Sequence, residues 1–184
     1  MNSSTLGRMS KASRRIVLAL VAVVTATVMS GCGAPAPSPT PTPTALSEAE
    51  AYAAAEATYR AYVDALNRVD LADPATFEPV FALTTGELNE IDRRDFSQLH
   101  ADGITFIGAN VVRSVTPVDH SNGRVDLGVC YDVSATDLVT STGDSIVDAD
   151  RIGVQALQVS LQPSSSSSTF YVSRVGAWTS EQSC

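Results

Sequence analysis

Arg124-Val125-Asp126-Leu127-Gly128-Val129-Cys130-Tyr131-Asp132-Val133 is the stretch on which the fold turns. Val125, Leu127, Val129, Tyr131 and Val133 take every second position, and a backbone of period two sets all five on one side of a strand. Asp126, Gly128, Cys130 and Asp132 fall on the other side. The first face is expected to be core, the second not.

The neighbouring stretches carry the same period. Just upstream, Asn122-Gly123 is a strong hairpin signal, leading back to the β-rich run 111–118 and, across Gly108, to residues 104–107. A bend or bulge is expected at that glycine. Downstream, Leu157, Val159 and Leu161 repeat the alternation, and residues 170–178 make a last strand. Pro163 and the serines 164–168 between them suit a polar hairpin tip.

Before Gly103 the period is helical. Ser47 and Glu50 spell a capping box. Tyr52, Ala55, Tyr59, Tyr62 and Leu66 then recur at alternating helical spacings, which draws one apolar stripe on a helix of about 20 residues. Asp73-Pro74 opens a short helix with Phe77, Val80, Phe81 and Leu83 on its buried side. Thr85 caps a third helix running to about His100. Leu88, Ile91 and Leu99 face inward on it, with Glu87, Glu90, Asp92, Arg93 and Arg94 on the wet side. Gly103 ends it.

Helices followed by an antiparallel meander predict one α+β domain over residues 46–184, with the N-terminal helices packed on a curved antiparallel sheet. This order, with its long tyrosine-bearing first helix, resembles the cone-shaped roll of the nuclear transport factor 2-like (cystatin-like) fold. Val129-Cys130-Tyr131-Asp132-Val133-Ser134, the segment 148–151 and Ala177-Trp178-Thr179 through Cys184 are similar to small lipoproteins of high-GC Gram-positive bacteria. A tyrosine stripe at helical spacing is either core or the lining of a pocket. A pocket of this roll would lie between the stripe and the concave sheet face, with Tyr52, Tyr59, Tyr62 and Trp178 as its candidate residues.

The first 45 residues have a different character. Arg8, Lys11, Arg14 and Arg15 precede the apolar run 16–29, which is shorter than the roughly 20 residues needed to cross a bilayer. Val28-Met29-Ser30-Gly31-Cys32 then resembles the lipobox of bacterial lipoproteins. The resemblance implies a signal peptide over 1–31, cleavage before Cys32, and a diacylglyceryl group with acyl chains such as palmitate on that cysteine. Residues 32–45 form a linker, with prolines at 35, 37, 39, 41 and 43. As polyproline II at about 3.1 Å per residue it reaches about 35–40 Å, a stiff spacer between membrane and domain.

Beyond residue 31 the chain has eight arginines, no lysine and all twenty acidic residues, a net charge of −12. It offers no basic patch for phosphates, which excludes nucleic acid as a partner. Attachment to an anionic membrane must then come from acyl chains, at about 0.8 kcal/mol per buried methylene.

If lipid takes Cys32, two cysteines remain in a compartment where disulfides persist, so Cys130 and Cys184 are expected to pair. Such a bond would pin the segment after Trp178 onto the sheet.

Chemistry is harder to find. An isomerase or dehydratase on this roll would need an acid or histidine pointing into the cone, and the strands place none there. His100 suits the end of a helix and His120 a hairpin. Their spacing is not that of metal ligands, and no nucleophile elbow is present. Asp144, Asp148 and Asp150, with Asp137 upstream, lack the spacing of a calcium loop. No catalytic residue, metal or cofactor is therefore assigned. The expected function is a lipid-anchored module on the extracytoplasmic face of the cell membrane, non-catalytic, binding a protein or small molecule. The alternative is an isomerase- or dehydratase-like enzyme that uses the pocket of the roll.

Overall fold

The computed structural model describes residues 46–165, 168–179 and 184. The leader, Cys32 and the proline-rich linker lie outside them. Helix α1, Glu48–Leu66, starts at the expected capping box. The Glu50 N–H donates to Ser47 Oγ, and the Ser47 N–H donates to the Glu50 carboxylate at 2.8 Å. Two amides of the first turn thus find acceptors that the helix itself cannot supply. A 3-10 turn, Pro74–Phe77, capped by the Asp73 side chain, runs directly into the single turn of α2, Glu78–Phe81.

Helix α3 is Gly86–Ala101. Thr85 is its N-cap residue, but the threonine side chain makes no capping bond. Its N–H instead donates to the Val172 carbonyl at 2.9 Å, which ties the start of the helix to a strand. Thr84, one residue earlier, accepts from Asn89 Nδ2 at 2.8 Å.

Among the described residues six strands follow: β1 Thr105–Ile107, β2 Val111–Ser121, β3 Arg124–Asp132, β4 Asp137–Val139, β5 Val154–Pro163 and β6 Phe170–Ala177. The main sheet is antiparallel in the order β2-β3-β5-β6. β1 does not continue into it. It pairs with β4, a strand with no signal in the sequence, in a separate two-stranded ribbon. Gly108 is the physical cause: its φ of +88° belongs to glycine, and a Cβ there would collide with the carbonyl oxygen of Ala135. Register shifts within β2 and between β5 and β6 help to bend the main sheet.

The inner sheet face matches the alternation. Val125, Leu127, Val129, Val159, Leu161, Phe170 and Val172 pack on Ala51, Ala55, Tyr59, Tyr62, Val63 and Ala65 of α1, with Val80 and Leu88 at the flank. Small alanines let the helix sit close to the valines, so little space is left between the layers. A second cluster joins Leu71, Phe77 and Ile104 with Phe81, Phe96, Leu99, Phe106 and Leu138.

The outer face departs from expectation. Asp126 and Gly128 are both buried; Trp178 folds back over the sheet, and its indole occupies the position that a Cβ on Gly128 would take, while the Asp126 carboxylate is paired with Arg124. The Trp178 N–H donates to the Ala156 carbonyl at 2.9 Å. Farther along the same face, Cys184 lies against Cys130 with the Cα atoms 5.5 Å apart, a disulfide-bonded pair. Replacing Gly128 by alanine is therefore expected to expel the indole. Trp178 is the sole tryptophan of the chain, so its emission should shift to longer wavelength while the far-ultraviolet dichroism stays unchanged. An unshifted spectrum would refute this packing.

Candidate functional site

The four pocket residues named from sequence do not share one place. Tyr59 and Tyr62 lie deep between α1 and the sheet, their ring centroids 6.1 Å apart. Tyr52, nearer the start of α1, is half-buried, edge-on to the His120 ring at 6.1 Å. Trp178 sits on the opposite face of the sheet, against Gly128. The tyrosine stripe and the tryptophan are separated by the thickness of β3, because Gly128 points away from the face that carries Leu127 and Val129.

What the interior does contain is a carboxylate. Asp92 of α3 was expected on the wet side, yet only 8% of it is exposed. It stands one helical turn after Leu88 and one before Phe96, and so falls within the apolar stripe. The Tyr62 hydroxyl donates to it over 3.4 Å to Oδ2 and 3.5 Å to Oδ1. Burial pushes the Asp92 carboxyl up to about 6; the bond from Tyr62 pulls the other way, and the charge of Asp95 adds to the rise. Burial likewise raises Tyr59, Tyr62 and Tyr131, so all three phenols remain protonated at neutral pH. A carboxyl that titrates near neutrality beside a phenol can hold or release a proton. Its signal in the sequence was position: a charged residue at the helical spacing of the apolar stripe.

The histidines serve other ends. His100 Nδ1 donates to the Leu71 carbonyl at 2.7 Å and its ring meets Phe77 edge-on, so it ties α3 to the loop after α1 instead of to the carbonyls of its own helix. In the acidic loop, Asp137 accepts from the Leu138 N–H and the Ser145 hydroxyl, while Asp148 accepts from the Asp150 N–H. Among the described residues no group of three His, Cys, Asp or Glu side chains is placed to hold a metal ion, and no helix is long and apolar enough to cross a membrane.

Two apolar recesses were not legible beforehand. A cleft of about 190 Å³ opens between the end of α1 and the β1–β4 ribbon, with Leu66, Phe96, Phe106 and Leu138 in its wall. The strands that close it are three residues long, too short for alternation to be read. A wider groove of about 750 Å³ lies along β5 and β6 beside Cys184, lined by Ile152, Val154, Ala156, Leu157, Val175 and Ala177.

No protein-family model matches this chain, and no curated protein matches it by sequence. Several solved structures are similar to it over part of its length. One is a proposed aromatic ring hydroxylase of Novosphingobium aromaticivorans, at 10% identity and a TM-score of 0.49, covering 71% of this chain and 89% of that one. The intermembrane space region of the chloroplast protein ARC6 is similar at 15% identity and a TM-score of 0.45, over 68% and 95% of the two chains. A protein from Catenulispora acidiphila is similar at 12% identity and a TM-score of 0.45, over 70% and 92%.

Proposed function

We propose that this chain is a lipoprotein held at the extracytoplasmic face of the cell membrane through Cys32, and that its domain is a non-catalytic module binding a small molecule or a protein partner. One observation carries the reading. The space between α1 and the sheet, where an enzyme built on such a roll would hold its substrate, is filled by Ala55, Tyr59, Val125, Leu127, Val129, Val159 and Leu161, each at most 1% exposed. The recesses open outward from this packed interior. A net charge of −12 beyond the leader argues against nucleic acid and against an electrostatic hold on anionic lipid.

Membrane fractionation tests the anchoring half of the proposal. Wild-type protein expressed in a host that processes lipoproteins is expected in the membrane fraction, with an intact mass showing cleavage before Cys32 plus acyl chains. Cys32→Ser is expected to release it to the soluble fraction, and membrane attachment that survives this change would refute the anchor.

The buried Asp92–Tyr62 pair favours a second reading, in which the interior opens and Asp92 acts as an acid or base. Loss of a measurable activity on Asp92→Asn in a protein that remains folded would support that reading over the first.

A further inference from the structure

We propose that the outer face of the main sheet binds a small carboxylate carrying a hydroxyl or amino donor, held between Asp126 and Arg174. The proposal rests on the binding-module reading and gives that reading a ligand class. A pocket of about 260 Å³ lies there, lined among others by Arg124, Asp126, Gln158, Ser160, Arg174 and Gly176. It is separate from the tyrosines, on the other side of β3.

Asp126 sets one requirement. It is 4% exposed, and Oδ2 accepts from Arg124 Nη2 at 2.9 Å. Oδ1 is buried with no hydrogen-bond partner among the described residues. Folded proteins seldom leave a buried carboxylate oxygen unpaired, because it has lost water and gained nothing. A turn of the carboxylate toward the pocket would let an O–H or N–H of a ligand satisfy this oxygen.

Arg174 sets the other. It is exposed and has no ion-pair partner among the described residues, where the four salt bridges involve Arg60, Arg94, Arg113 and Arg124. Its planar guanidinium matches a carboxylate bidentately. Two arginines against one aspartate leave the pocket with a surplus positive charge on an otherwise acidic chain, which selects an anion. Asp126, at the same time, repels an anion that brings no donor.

The strand register supplies the span. Asp126 pairs with Ser160, and Ser160 pairs with Arg174, so the three stand in one row across β3, β5 and β6. With strands about 4.8 Å apart, the outer two Cα atoms are roughly 10 Å from each other, and a ligand lying over Ser160 can touch both side chains. In the next row Gln158 is flanked by Gly128 and Gly176. A Cβ on Gly176 would meet nothing within 4 Å, so this glycine leaves room above the sheet. At about 30 Å³ for each water-sized position, the pocket takes a ligand of up to roughly nine non-hydrogen atoms. Trp178, stacked on Gly128 one step along the same face, serves as an optical reporter.

Calorimetric and fluorescence titration of the purified protein with L-lactate, L-alanine and propionate tests this, since the three differ only in the group on the α-carbon. At least one of lactate and alanine is expected to saturate, at least tenfold tighter than propionate; which of them does so identifies the donor as hydroxyl or ammonium. Arg174→Gln is expected to weaken that ligand at least tenfold. Gly176→Val should abolish its binding without lowering the unfolding midpoint, because its Cβ meets no atom within 4 Å and its branches project into the pocket. The proposal is overturned if none of the three saturates, if propionate binds as well as the others, or if Gly176→Val binds like wild type. Fractionation with membranes is read independently, so failure here leaves the anchoring result standing.

Discussion

Reducing the bond between Cys130 and Cys184, or replacing Cys130 by serine, is expected to lower the unfolding free energy by about 4 kcal/mol. The two cysteines are 54 residues apart in sequence, and closing a loop of that length removes about this much conformational entropy from the unfolded chain. Domains of this size are typically stable by about 5–15 kcal/mol, so the loss should be plain in urea unfolding with and without reductant. The reduced protein is expected to stay folded. Its helix–sheet core from Ala51 to Val172 does not pass through either sulfur. The reporter for the local effect is Trp178, which should lose its packing on Gly128 more readily once the bond behind it is gone. Equal urea midpoints for the oxidised and reduced forms would show that the bond does not constrain the unfolded chain as the entropy argument requires.

Asp92→Asn is expected to stabilise the domain at pH 7.5 by about 2–3 kcal/mol, an unusual direction for a substitution in a buried position. The sign follows from linkage. Asp92 ionises at about 6 in the folded protein, above its ordinary value of 3.8, so between those limits the folded state holds a proton that the unfolded state has released. Stability from this group is fully present below about pH 4 and is lost as the pH rises through 6. Above that the folded chain carries a charge in a poor environment. Asparagine never ionises, and its amide oxygen can still accept from Tyr62. The gain over wild type should therefore vanish near pH 4, and the variant should lose the wild-type slope between about pH 4 and 6. Tyr62→Phe is expected to act oppositely on the carboxyl, raising it further by removing the one hydrogen bond that favours its charged form. A variant no more stable than wild type at pH 7.5 would show that water reaches Asp92.

Much of the fold is legible in the sequence wherever the signal is local. The alternation of β3, the Ser47–Glu50 box, the stop at Gly103 and the turn at Asn122-Gly123 each depend on residues within a few positions of one another, and each stands as expected. The candidate sites depend on distant parts of the chain. The period-two pattern correctly divided β3 into two faces, but it could not say that Trp178 and Cys184, some fifty residues later, would cover the polar one. The charge of Asp92 points to the surface, whereas its spacing from Leu88 and Phe96 points to the interior where it lies. The three residues of β4 are too few to show a period.

The sequence by itself determined the helix–meander order and the inner sheet face, since propensity and alternation act along the chain. Only the tertiary structure decided that the tyrosines and the tryptophan lie on opposite sides of the sheet, that a buried carboxylate stands beside Tyr62, and that Asp126 and Arg174 flank one serine. The last follows from strand register, which brings together residues 126, 160 and 174. Register is a property of paired strands, set by the packing of the inner face and the turns between them.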